Sequence, residues 1–107
     1  MAPINFKDIV GYKKLSACSV CDSHEYSLPF PITKDIAPYL APFGPTKFPI
    51  DQVALIKIEN DFVDIVGRVG RSVIRVKFKK DPKQREFFES QLGNYIGFMM
   101  KDAEIIF

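Results

Sequence analysis

Residues 52–80 read QVALIKIENDFVDIVGRVGRSVIRVKFKK, and the organisation of the whole chain can be worked out from them. Two turn signals divide the segment. Asn60-Asp61 is the first, and Gly70-Arg71 is the second, with glycine leading as a type II′ hairpin turn requires. Ahead of the first turn, residues 52–59 are apolar at Val53, Ala54, Leu55, Ile56 and Ile58, a run of strand length. Between the turns, Val63, Ile65 and Val69 share a face. After the second, residues 72–80 have a period of two: Ile74, Val76 and Phe78 point one way, Arg75, Lys77 and Lys79 the other. Three short runs joined by two tight turns predict a three-stranded antiparallel meander.

A helix is expected next, over about 82–100. Asp81 can cap it, Pro82 suits its first position, and Gln84 stands at the capping-box position. Phe88, Leu92, Tyr95, Ile96 and Met99 fall at helical spacing and would lie on the sheet. The closing AEIIF reads as a short strand. Toward the N-terminus, Asn5 caps a short helix with Asp8 three residues on, Ile4 and Ile9 have staple spacing, and Gly11 stops it. Residues 13–22 read as extended chain. In residues 25–32, EYSLPFPI, Leu28, Phe30 and Ile32 alternate with Pro29 and Pro31. Proline cannot donate to a ladder, so this segment is an edge strand or a polyproline-type stretch. Asp35 caps a helical turn that tolerates Pro38 and ends at Pro42, and residues 44–49 form a loop. Helices segregated from a run of strands give the α+β class.

At 107 residues the chain is expected to be a single domain, 1–107, large enough for one core. Its 47% hydrophobic and 26% charged residues are globular values. No apolar run approaches the roughly 20 residues of a membrane helix, and residues 1–14 show no secretory pattern. The expectation is a cytoplasmic protein with reduced cysteines and no membrane partner.

Charge is unevenly spread. Residues 68–85 hold eight of the fifteen Lys and Arg residues and one acid, Asp81, a formal +7. The other 89 residues hold seven bases and twelve acids, a formal −5. A concentrated positive surface attracts anions whatever the fold. The period-two pattern places Arg75, Lys77 and Lys79 in a row on the open face, joined by Arg68, Arg71 and Lys80. Phosphate is the natural partner of such a row, because neutralising it releases counterions. Base stacking is poorly provided for, since Phe62 is the one outward aromatic candidate nearby. The plainer reading is a solvated strand whose lysines guard an edge.

Cys18-Ser-Val-Cys21 with His24 could begin a zinc site, with Asp22 or Glu25 adding oxygen. A structural zinc wants four ligands, and the chain has no other Cys or His. A redox pair would need a buried strand before the first Cys and a helix after it, and neither is written here. Unreactive cysteines and a surface histidine are the simpler expectation, with no cofactor. No GxGxxG, Walker or HExxH pattern occurs, and no paired carboxylates or triad can be assembled from neighbours, so a non-enzymatic chain is expected. In the C-terminal helix, Ser90, Gly93 and Gly97 form a smooth stripe, and each helical glycine costs about 1 kcal/mol against Ala. Close approach of another backbone explains them, either within the chain or in a homodimer; a break at Gly97 is the alternative. Phe98 and Met100 add apolar surface suited to an interface.

The function expected is therefore a small binding module whose basic sheet face takes nucleic-acid phosphate or an acidic protein surface. The alternative is an assembly or adaptor subunit contacting partners through Gly93, Gly97, Phe98 and Met100. A Cys-x-x-Cys metal or redox protein is the third reading.

Overall fold

The period-two segment is a strand at the centre of a five-stranded antiparallel sheet. The computed structural model describes residues 3–14, 22–44, 55–79, 83–101 and 103–107. In chain order the elements begin with β1 (Ile4–Asn5), α1 (Phe6–Ile9), β2 (Gly11–Lys14) and β3 (Asp22–Ser27). Next comes α2 (Ala37–Leu40), flanked by 3-10 turns at Lys34–Ile36 and Ala41–Phe43. The second half holds β4 (Leu55–Glu59), β5 (Val63–Arg68), β6 (Val73–Phe78), α3 (Gln84–Met99) and β7 (Ile105–Ile106). Sheet order is β2-β3-β6-β5-β4, and β1 pairs separately with β7 in parallel.

The α+β class and the β4-β5-β6 meander are as expected, but the sheet has more strands than the three of the meander. Neither added strand carries an aliphatic residue. β2 is Gly-Tyr-Lys-Lys with every residue exposed, and β3 is Asp-Ser-His-Glu-Tyr-Ser. Register gives β3 its place: His24 pairs with Val76 and Tyr26 with Ile74, so both rings turn to the covered face. The edge-strand reading of 25–32 is corrected accordingly. β3 lies between β2 and β6, and it ends at Ser27, before the prolines that could not donate to the ladder. Beyond it, the Leu28 and Ile32 N–H groups donate to the carbonyls of Ser72 and Arg71 at 2.6 and 2.8 Å. Leu28 and Ile32 thereby reach the core beside the β5–β6 turn.

One face of the sheet is covered. Phe88, Leu92, Tyr95 and Ile96 of α3 are fully buried with Ile56, Ile58, Ile65, Ile74 and Tyr26 of the strands. Full burial of each large apolar side chain is worth roughly 1.5–3 kcal/mol, which makes this seam the main source of stability. α3 runs unbroken through Gly97 to Met99; its expected cap, Asp81-Pro82, lies outside the described residues.

Three local expectations are corrected. The short helix expected after Asn5 is the single turn α1, with Asn5 at its N-cap position but no side-chain cap bond; it ends at Ile9 with Val10 already extended, and Gly11 opens β2. Pro42 does not end the second helical stretch. It sits in the first turn of a 3-10 segment, where its missing N–H is not needed, and Gly44 at φ 138° ends the run. In the β5–β6 connection the Arg71 N–H donates to the Arg68 carbonyl at 3.0 Å, which puts Gly70 third in the turn. Its φ of 94° is what a type II turn demands there, so glycine leads no type II′ turn.

Asn60 ties the β4–β5 turn to the helical layer. Its Oδ1 accepts from the Phe62 and Val63 N–H groups at 2.8 and 3.0 Å, while its Nδ2 donates to the Phe43 carbonyl at 2.8 Å. Asn60→Ala leaves all three groups unserved and is expected to lower stability by about 1–3 kcal/mol in urea denaturation. An unchanged midpoint would show that water replaces these bonds without cost.

Candidate anion-binding site

Side chains on the uncovered face follow from the register. One row across the strands reads Lys13, Glu25, Arg75, Val66, Lys57, and the next reads Ser23, Lys77, Asp64, Glu59. The alternation in β6 is as the sequence implies: Ile74, Val76 and Phe78 are buried, while Arg75 is exposed and Lys77 half-buried on the other face. The uninterrupted row of cations is corrected, however. Carboxylates from neighbouring strands interleave with it. Arg75 Nε lies 3.1 Å from Glu25 Oε2 and Lys79 Nζ 3.0 Å from Asp64 Oδ1, while within β4 Lys57 Nζ lies 3.1 Å from Glu59 Oε2. Lys79 also donates to the Asn60 carbonyl at 2.9 Å, so its ammonium is committed to the β4–β5 turn. Exposed pairs of this kind contribute about 0.2–1 kcal/mol each, enough to order side chains but little more.

What survives this neutralisation is local. A shallow open groove of about 610 Å³ lies at the β5–β6 turn, lined by Arg68, Arg71, Arg75, Ser72, Val66 and Glu25 among others. Its composition has a backbone cause. Gly67 pairs with Ile74 on the covered face, so Arg68 and Arg75 share the open face on adjacent strands. Arg75 pairs with Val66, two residues from Arg68, a diagonal separation of about 7–8 Å that long side chains easily bridge. Arg71, in the turn, closes the end. Arg68 and Arg71 have no carboxylate partner among the described residues, and Glu25 engages Arg75 only through Nε. The chain has four arginines and eleven lysines, and three of the four arginines meet here.

Guanidinium groups matter for the chemistry. Each presents planar paired donors that match two oxygens of a phosphate or carboxylate, which an ammonium cannot do. Among the described residues none that lines the groove is aromatic; Leu55, Val66 and Val73 supply its apolar lining. Its described lining is equipped to hold anionic oxygens and offers no ring on which a base could stack. Phe62 stands at the far end of β5, half-exposed.

The other candidate residues are dispersed. Lys80, Cys18 and Cys21 lie outside the described residues, and among the described residues no group of three metal-ligating side chains occurs. His24 is not a surface histidine. It is 1% exposed on the covered face, with Nδ1 2.6 Å from the Tyr12 hydroxyl and its ring 5.5 Å from that of Phe78. Register decides this, since the strand around it is too polar for the sequence to show which residues turn inward.

Gly93 and Gly97 meet the chain's own C-terminal segment. A Cβ at Gly97 would stand 2.6 Å from the Ala103 carbonyl oxygen, and one at Gly93 2.5 Å from Phe107 Cζ. Phe98 is half-exposed beside Tyr39, and Met100 packs partly against the core.

Sequence reasoning missed the part played by Glu25 and Ser72. Glu25 lies fifty residues from the arginine it engages, and no local signal announces such a pairing. Among the described residues no helix is long and apolar enough to cross a membrane. Comparison with protein-family models, curated proteins and solved structures finds no match for this chain.

Proposed function

We propose that this chain is a small non-enzymatic binding module that holds an anionic partner, nucleic-acid phosphate foremost, in the Arg68–Arg71–Arg75 groove. The observation that supports this most is the convergence of three arginines with a single carboxylate, among the described residues, on an open sheet face. Two of them have no carboxylate partner among the described residues, so an incoming phosphate breaks no described ion pair with them. With no aromatic among the groove's described residues, recognition rests on the backbone, and affinity varies little with base sequence.

The test is a titration of labelled single- and double-stranded oligonucleotides at several salt concentrations. Affinity is expected to fall with a slope of about −0.7 to −0.9 per phosphate contacted in a plot of log affinity against log salt, so two to three contacts give a slope near −2. A flat salt response would dismiss the phosphate reading.

Phe98, Ile106 and Phe107 favour the second reading, an assembly subunit, because they expose large apolar side chains near the end of α3 and the C-terminal segment. A mass in solution that rises with concentration, and returns to monomer in Phe98→Ser, is its expected signature.

A further inference from the structure

A second cavity, of about 290 Å³, opens on the helical side of the sheet, where α1, the edge strand β2 and the first turns of α3 meet. It shares no residue with the arginine groove. Phe6, Val10 and Tyr26 form its apolar walls, each almost wholly buried.

Polar groups along one side are already fixed by one another. The Tyr26 hydroxyl donates to Glu89 Oε2 at 2.8 Å, and Arg85 Nε donates to the same oxygen at 2.9 Å. The Arg85 guanidinium lies 4.5 Å from the centre of the Tyr12 ring, whose hydroxyl bonds His24. Such mutual support reduces the ordering that a ligand would otherwise have to impose. Tyr26 is held as a neutral phenol, because burial first and Glu89 second push its pKa far above the ordinary range. Glu89 is the one carboxylate among the described lining residues, and two donors already share one of its oxygens. Against it stand two cations, Arg85 and Lys7. Five N–H donors on Arg85 exceed what Glu89 and Tyr26 take up. The cavity therefore combines a surplus of positive donors with an apolar interior.

Its size narrows the ligand. Ligand pockets span roughly 300–1,000 Å³, so this one suits a single ring or a short branched chain and excludes a nucleotide or a polymer. We propose that this cavity binds a small carboxylic acid, the carboxylate against Arg85 and Lys7 and the apolar body against Phe6, Val10 and Tyr26.

Phenylacetate and phenylacetamide, alike in shape and different in charge, are the probes. Each is titrated into the 15N-labelled full chain and into Arg85→Gln, with backbone amide shifts as the readout. Phenylacetate is expected to give saturable shifts at Val10, Gly11 and Glu89, with a Kd on the order of 1 mM or tighter for a ligand of this size. Phenylacetamide is expected to bind about tenfold more weakly or worse, and Arg85→Gln to shrink that difference to the part Lys7 supplies, as loss of one charge-assisted contact implies. Equal affinities of acid and amide in the unaltered chain would overturn the proposal without reference to the variant. So would the absence of saturable shifts, or shifts confined to the arginine groove.

Discussion

Replacing Arg68 and Arg71 together with Glu is expected to lower oligonucleotide affinity at low salt by about 100-fold or more, since two phosphate contacts become two repulsions. The same double variant should unfold within a few degrees of the unaltered chain. Both side chains are exposed and neither has a carboxylate partner among the described residues, so the described fold loses no ion pair. Exposed substitutions of this kind usually change stability by no more than about 0.5 kcal/mol each. A charge-matched control, Lys34→Glu with Lys101→Glu, makes the same change in net charge without altering a groove-lining residue and is expected to weaken binding only a few-fold. Lys79→Glu should behave differently from both. It places a carboxylate beside Asp64 and loses the bond to the Asn60 carbonyl, so its main effect is on stability. If the control and the groove variant weaken binding equally, only net charge attracts the partner and the groove has no role.

Gly97→Ala is expected to destabilise the protein although alanine is the better helix former. In a free helix the exchange would add about 1 kcal/mol. Here the new methyl would stand 2.6 Å from the Ala103 carbonyl oxygen, a backbone atom. That backbone is held: the Ala103 N–H donates to the Gly97 carbonyl at 3.0 Å, and the Glu104 carbonyl accepts from the Ile4 N–H at 2.8 Å. Relieving the overlap means moving residues 103–107 and loosening β1 from β7. Overpacking of this sort costs typically about 1–3 kcal/mol, so the net change should be a loss. Gly93→Ala is the instructive contrast. Its nearest neighbour is the tip of the Phe107 ring on a terminal residue that is 62% exposed. The ring can swing aside at the expense of its contact with Phe6, so stability should barely change. Urea denaturation of both variants checks the pair. A Gly97→Ala protein more stable than its parent would show that the C-terminal segment does not lie on α3.

These two cases also show what the sequence reveals and what it conceals. β6 is legible because aliphatic and cationic residues alternate without a break, and α3 because its apolar residues repeat at helical spacing. β2 and β3 are hidden because β2 buries no residue and β3 turns inward only His24 and Tyr26, polar-tipped rings amid Ser and Glu that leave no period-two trace of hydrophobicity. Their pairing is carried by backbone hydrogen bonds, and these have no residue signature. In the site, the positions of Arg68 and Arg75 on one face follow from parity once the hairpin is known. The neutralising partners do not, because Glu25 reaches Arg75 across a strand pairing that is itself hidden. The glycines of α3 announce that a backbone comes close. That it is the chain's own C-terminal segment depends on the parallel β1–β7 pairing, which two-residue strands are too short to signal.

The arginine side chains themselves offer the most direct test. With the chain labelled in 15N, the Nε–Hε signals of Arg68, Arg71, Arg75 and Arg85 can be followed as a short single-stranded oligonucleotide is added at low salt. Saturable shifts at the three groove arginines, with Arg85 unmoved, are the predicted result. Shifts spread evenly over all four, or none at any of them, would contradict an anion site at the β5–β6 turn.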